Sequence, residues 1–129
     1  VVLAARNEDA LREAVEGIER GGGKAAYCVA DVSDYAYPAA VGAVAKERFG
    51  GFDSWVNNAA AAIYARLQDV TEEEHKQIFD TGYFGTVAGS LYAARELAVR
   101  GGGAIVNVGS VLSERAVPVQ GAYSAMKHA

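Results

Sequence analysis

Four short apolar runs, at residues 1–5, 24–30, 52–56 and 104–108, alternate along this chain with longer stretches of helical spacing. The runs are too short for buried helices. They are rich in small and β-branched side chains, and they read as strands buried in a parallel sheet. The stretches between them carry helix signals. Asn7 suits an N-cap, Glu8 and Asp9 suit the first turn, and Leu11, Val15 and Ile18 fall on one face. That helix should run to about Arg20 and stop at Gly21-Gly22-Gly23. A second helix ends near Phe49. Ser33 or Asp34 can cap it, but Pro38 falls within its first turns, so a start at Pro38 is the alternative. Thr71-Glu72-Glu73-Glu74 is a capping box. Residues 82–100 read as a long helix, either continuous with the preceding one or broken around Gly82 and Gly85. Strands alternating with helices imply right-handed βαβ units and a parallel sheet, hence an α/β fold. A length of 129 residues fits a single domain.

Composition narrows the partners. The net charge is −4 and there is no basic block, so no nucleic-acid partner is expected. No apolar run approaches the roughly 20 residues of a membrane span, so no membrane partner is expected. Residues 1–5 are too short and lack the basic leader of a signal peptide. Cys28 is the only cysteine, which excludes an internal disulfide and is compatible with a reducing, cytoplasmic setting. Its expected place is a buried strand, where it acts as a small apolar residue. His75 and His128 are not spaced like metal ligands, so no metal is expected. His75, in a charged helix, reads as a solvated side chain.

Chemistry-bearing residues fall after the strands: Arg6, Asp31, Asn57-Asn58 and Ser110. In open α/β sheets, ligands bind at that edge, and four such strand ends suggest a dinucleotide crevice. After Ser110 comes a loop with Pro118, then an apparent helix carrying Tyr123 and Lys127 four residues apart. A free phenol ionises near pH 10 and is a poor acid–base catalyst at neutrality. A cation one helical turn away shares its helix face. At about 4 Å and an effective dielectric of about 20, it favours the phenolate by roughly 4 kcal/mol. Ser110, thirteen residues before Tyr123, adds a hydroxyl that can hold a reacting oxygen. Asn107 sits mid-strand and reads as structural.

Four motifs in this order resemble the short-chain dehydrogenase/reductase family over essentially all the residues. Asp31-Val32 looks like the family's adenine-contacting pair. Asn57-Asn58-Ala59-Ala60 resembles its Asn-Asn-Ala-Gly motif. Residues 105–110, Ile-Val-Asn-Val-Gly-Ser, resemble the strand that delivers its serine. Tyr123-Ser124-Ala125-Met126-Lys127 matches Tyr-x-x-x-Lys. The resemblance implies a Rossmann-type doubly wound parallel sheet. It implies hydride transfer between a nicotinamide cofactor and a carbonyl or alcohol, with Ser110, Tyr123 and Lys127 catalytic. Asn58, Ala59 and Ala60 would lie along the cofactor, Asp31 and Val32 at its adenine, and Tyr123 and Lys127 at its nicotinamide end. Arg6 follows the strand whose end carries an acid in NAD-binding members. Here the strand ends in Ala5, and a guanidinium suits the 2′-phosphate, so NADP is expected over NAD. An epimerase or dehydratase acting on a nucleotide-sugar shares Tyr-x-x-x-Lys, but residues 57–60 and Arg6 speak for the reductase.

Departures from the family pattern shape further expectations. The Gly-rich phosphate loop and the first strand, which belongs mid-sheet between strands two and four, are absent, as are the later strands. The chain reads as a partial NAD(P)-binding domain spanning residues 1–129 of a longer protein, not expected to turn over substrate alone. Gly82 stands where the family carries an asparagine implied to complete a proton relay. This supports an alternative: an NADP-binding sensor or scaffold without efficient turnover. The helices at 82–100 and around Tyr123 resemble elements that pair between subunits, implying a homodimer or homotetramer of the intact protein.

Overall fold

The computed structural model describes residues 1–129. Strand β1 (Val2–Ala5) pairs in parallel with β2 (Ala26–Val29), with Val2 opposite Ala26. Strand β3 (Ser54–Asn57) pairs in parallel with β4 (Ala104–Asn107), with Asn57 opposite Asn107. The two pairs share no ladder. A cleft lined by residues of both β1 and β3 separates them. The architecture is α/β and Rossmann-type, with the sheet incomplete at its centre.

Local chemistry sets the helix limits. Helix α1 (Glu8–Arg20) starts where the Asn7 side chain accepts a hydrogen bond from the Ala10 N–H at 3.1 Å. Leu11 is buried, and Val15 and Ile18 are half-buried, as their spacing predicts. Helix α2 (Tyr37–Phe49) carries Pro38 in its first turn, where a missing N–H leaves no bond unmade. Neither Ser33 nor Asp34 caps it. Ser33 is turned onto Asp31, and Asp34 accepts from the Ala36 N–H in the preceding turn. The capping box of α3 (Glu72–Phe79) forms in both directions, at 3.2 and 2.8 Å. Helix α4 (Gly85–Val99) follows α3 without a break, through a π-helical turn at Asp80–Phe84. Helix α5 is Gly121–His128.

The main core lies where α2 and α4 cover the strands. It comprises Tyr37 and Val41 of α2, Trp55 of β3, and Ala88, Ala93 and Leu97 of α4. At its centre, the Asn57 side chain accepts from Trp55 Nε1 (2.8 Å). It donates to Ser90 Oγ (3.0 Å) and to Asn107 Oδ1 (2.8 Å). One buried amide thus joins β3, β4 and α4. Gly89 allows this: a Cβ there would stand 2.5 Å from the Tyr37 hydroxyl and 2.8 Å from Trp55 Nε1, and closer still to Asn57 Oδ1.

Three expectations change. Residues 104–108 are not buried. Within residues 1–129 all of β4 is exposed, with Val106 at 48%, because among these residues it packs mainly on β3 and α4. Cys28 is half-buried against the main core, and this desolvation pushes its thiol up. His75 is also half-buried, with Nδ1 2.9 Å from the Thr71 carbonyl oxygen, one turn back.

Candidate active site

The cleft between the strand pairs encloses about 840 Å³. Arg6, Asp31, Val32, Asn58, Ala59 and Ala60 all line it. Each follows the C-terminal end of β1, β2 or β3. Within each parallel pair the strand ends share one edge, and the two pairs face each other across the cleft, so residues far apart in sequence line it. Arg6 Nη1 lies 3.8 Å from Asp31 Oδ2, with both side chains largely in solvent. The Asp31 carboxyl is held below the usual carboxylate range. The Ser33 N–H (2.9 Å) contributes most, then the Ser33 hydroxyl (2.7 Å), with the Arg6 charge adding to them. The Val32 carbonyl oxygen would stand 2.7 Å from a Cβ at Gly85, so the loop after β2 rests on the bare start of α4.

Ser110, Tyr123 and Lys127 do not line this cleft. They gather beyond the end of β4, the strand beside β3. Ser110 caps a short 3-10 turn, Val111–Ser113: its Oγ accepts from the Leu112 N–H at 3.1 Å. That turn packs against α5. The Lys127 ammonium donates to the Val108 carbonyl at 2.8 Å and stands 5.9 Å above the centre of the Tyr123 ring. Lys127 therefore ties α5 to the strand end two residues before Ser110. The Tyr123 ring packs on a second, smaller core of Ile78, Ala122 and Met126. Before α5, Val119 adopts a left-handed backbone (φ 60°), uncommon for a β-branched residue, and its carbonyl accepts from the Ala65 N–H at 2.9 Å.

The sequence reading missed Gln77, Thr81 and Thr86, which line the cleft from α3, the π-helical turn and α4. Attention to strand ends does not reveal them, since they lie on helical elements that cross the cleft.

Over residues 1–129 the sequence matches the family model for short chain dehydrogenase. It is 39% identical over 130 residues to the uncharacterized oxidoreductase YxnA of Bacillus subtilis, covering 100% of this chain and 36% of that protein. Gluconate 5-dehydrogenase of Burkholderia cenocepacia, solved with NADP and tartrate, superposes with a TM-score of 0.89 at 29% identity, over 98% of this chain and 50% of that one. A short chain dehydrogenase/reductase of Burkholderia phymatum, solved with NAD, gives a TM-score of 0.93 at 29% identity, over 98% and 46%. The chain spans between about a third and a half of the length of these relatives. Matched by the family model along all its residues and by its solved members in fold, the chain belongs to the short chain dehydrogenase family.

Proposed function

We propose that residues 1–129 form one partial NAD(P)-binding domain of an NADP-dependent oxidoreductase. The whole protein would transfer a hydride between the cofactor and a small carbonyl or alcohol substrate. One observation carries this reading: residues from three strand ends line one cleft, and Lys127 fastens the Tyr123 helix to the end of the fourth. The residues present fit a dinucleotide. Asn58, Ala59 and Ala60 form a wall of small side chains and one amide along it. Asp31 and Val32 would take the adenine end.

Arg6 supports NADP over NAD. Its pairing with Asp31 is long and exposed, a kind worth about 0–1 kcal/mol. The guanidinium can therefore turn to a 2′-phosphate, which it matches in charge and fork geometry.

When bound, the cofactor supplies or accepts the hydride. This chain's residues position the substrate and handle the proton. The Tyr123 hydroxyl protonates the carbonyl oxygen on reduction and takes the alcohol proton on oxidation. The Lys127 ammonium stands beside the Tyr123 ring and can bond the nicotinamide ribose through donors that Val108 leaves free. Ser110 Oγ already accepts from Leu112, so its own proton is free to point at the substrate oxygen as charge develops there.

No helix is long and apolar enough to cross a membrane. We place the protein in the cytoplasm as a homodimer or homotetramer, a reading supported by Leu91 and Val99, exposed on α4. A second reading, an NADP-binding sensor or scaffold, is favoured by Gly82, which offers no side chain and whose carbonyl already accepts from the Thr86 hydroxyl.

The test follows nicotinamide absorbance in the full-length protein, with NADPH and NADH against a panel of ketones and aldehydes. Oxidation of NADPH that disappears in Tyr123→Phe is the expected result. NADPH binding without oxidation of any panel member would favour the sensor. Equal use of NADH would overturn the role given to Arg6.

A further inference from the structure

Gly82 sits in the π-helical turn with an ordinary negative φ, so its backbone does not call for glycine. Space does. Met126 Cε and Cγ would stand 2.6 and 3.0 Å from a Cβ at position 82, and Met126 Sδ closer still. Met126 is itself buried, packed with Ile78 and Ala122. Its thioether is the far end of a flexible side chain, but a new methyl group would force it to repack within that core. The same small core supports the Tyr123 ring. The next residue, Lys127, is fastened to Val108. Helix α5 is thus held in two ways: Met126 lies in a notch left by the missing side chain at 82, and Lys127 bonds the end of β4. Tyr123 lies one turn before both anchors.

We infer that Gly82 and Met126 are a size-matched pair that positions the Tyr123–Lys127 helix for the acid–base step. They are positioning residues, acting through Tyr123 without touching substrate. A side chain at 82 displaces Met126 from its place, and a smaller residue at 126 relieves that displacement. This inference rests on the oxidoreductase reading for its consequence in turnover, but not for its geometry.

The experiment uses the full-length protein with Gly82→Ala, Met126→Ala and the double variant. Two readouts are taken: kcat and cofactor KM with NADPH and a carbonyl turned over in the panel, and the Tyr123 ¹³Cζ resonance, assigned by its loss in Tyr123→Phe. Misplacing a catalytic group by an ångström can cost about 100-fold, so Gly82→Ala should lower kcat about 10-fold or more with the cofactor KM little changed. The double variant should recover most of that loss. The Tyr123 resonance should move in Gly82→Ala and return in the double variant, while the other tyrosines stay in place. Should Gly82→Ala fail to fold, Met126→Leu, which nearly keeps the volume but is branched where methionine is not, should move the same resonance. Unchanged kcat and resonance in every folded variant, or a double variant as impaired as the single ones, would overturn the inference. A resonance that moves and returns in a protein with no turnover would uphold the pairing and sink the oxidoreductase reading.

Discussion

Replacing Asn57 with alanine should destabilise the protein through one indole. Trp55 and Asn57 are both buried, and Trp55 Nε1 has the Asn57 amide oxygen as its partner at 2.8 Å. Without that oxygen, a buried donor loses its acceptor, at a cost of about 1–3 kcal/mol. The other two partners differ. Ser90 is half-buried and Asn107 exposed, so both can turn to water, and losing them adds only about 1 kcal/mol. The loss should therefore come to roughly 2–4 kcal/mol, read from urea unfolding of the full-length protein. Trp55→Phe removes the donor in advance. In that background Asn57→Ala should cost only about 1 kcal/mol, giving a coupling of about 1–3 kcal/mol in the double-mutant cycle. If the two substitutions prove additive within about 0.5 kcal/mol, the indole is not what the amide satisfies, and the reasoning fails.

Burial pushes the Cys28 thiol up, so less of it is thiolate at neutral pH. Alkylation by iodoacetamide should be slow in the folded protein and rise at higher pH than in the unfolded chain; matching rate profiles by mass spectrometry would contradict this. Asp31 titrates below the usual carboxylate range, so its contribution to stability is present above that range and lost as pH falls through the folded value. Ser33→Ala removes one of its two Ser33 donors, and the Asp31 carboxyl resonance should then titrate closer to the ordinary value. An unshifted titration would assign the depression to the backbone N–H alone.

Much of this protein is legible from local chemistry. Asn7, Gly21, Pro38 and the Thr71–Glu74 box act within a turn or two of themselves, and helix limits follow from them. The alternation of short apolar runs with helices implies parallel βαβ units, and parallel pairing then places Arg6 and Asp31 at one edge and Asn58 beside the end of β4. Whether a run is buried is another matter. Val106 and Val108 look like core residues in sequence; within these 129 residues, a third to a half of the relatives' length, they are exposed, because burial depends on which elements cover a strand. Asn57 shows the same limit. Its motif marks it as notable, but its bonds to Ser90 and Asn107 span 33 and 50 residues, a reach that only the packed α4 and β4 supply. Gly82 is the sharpest case. In sequence it is a missing side chain, while in the fold its vacancy is filled by Met126, 44 positions later on α5. Local sequence determined the elements and their order, because caps, turns and periodicity are short-range. Only the tertiary structure decided which side chains share space, because close packing is set by elements that meet regardless of their distance along the chain.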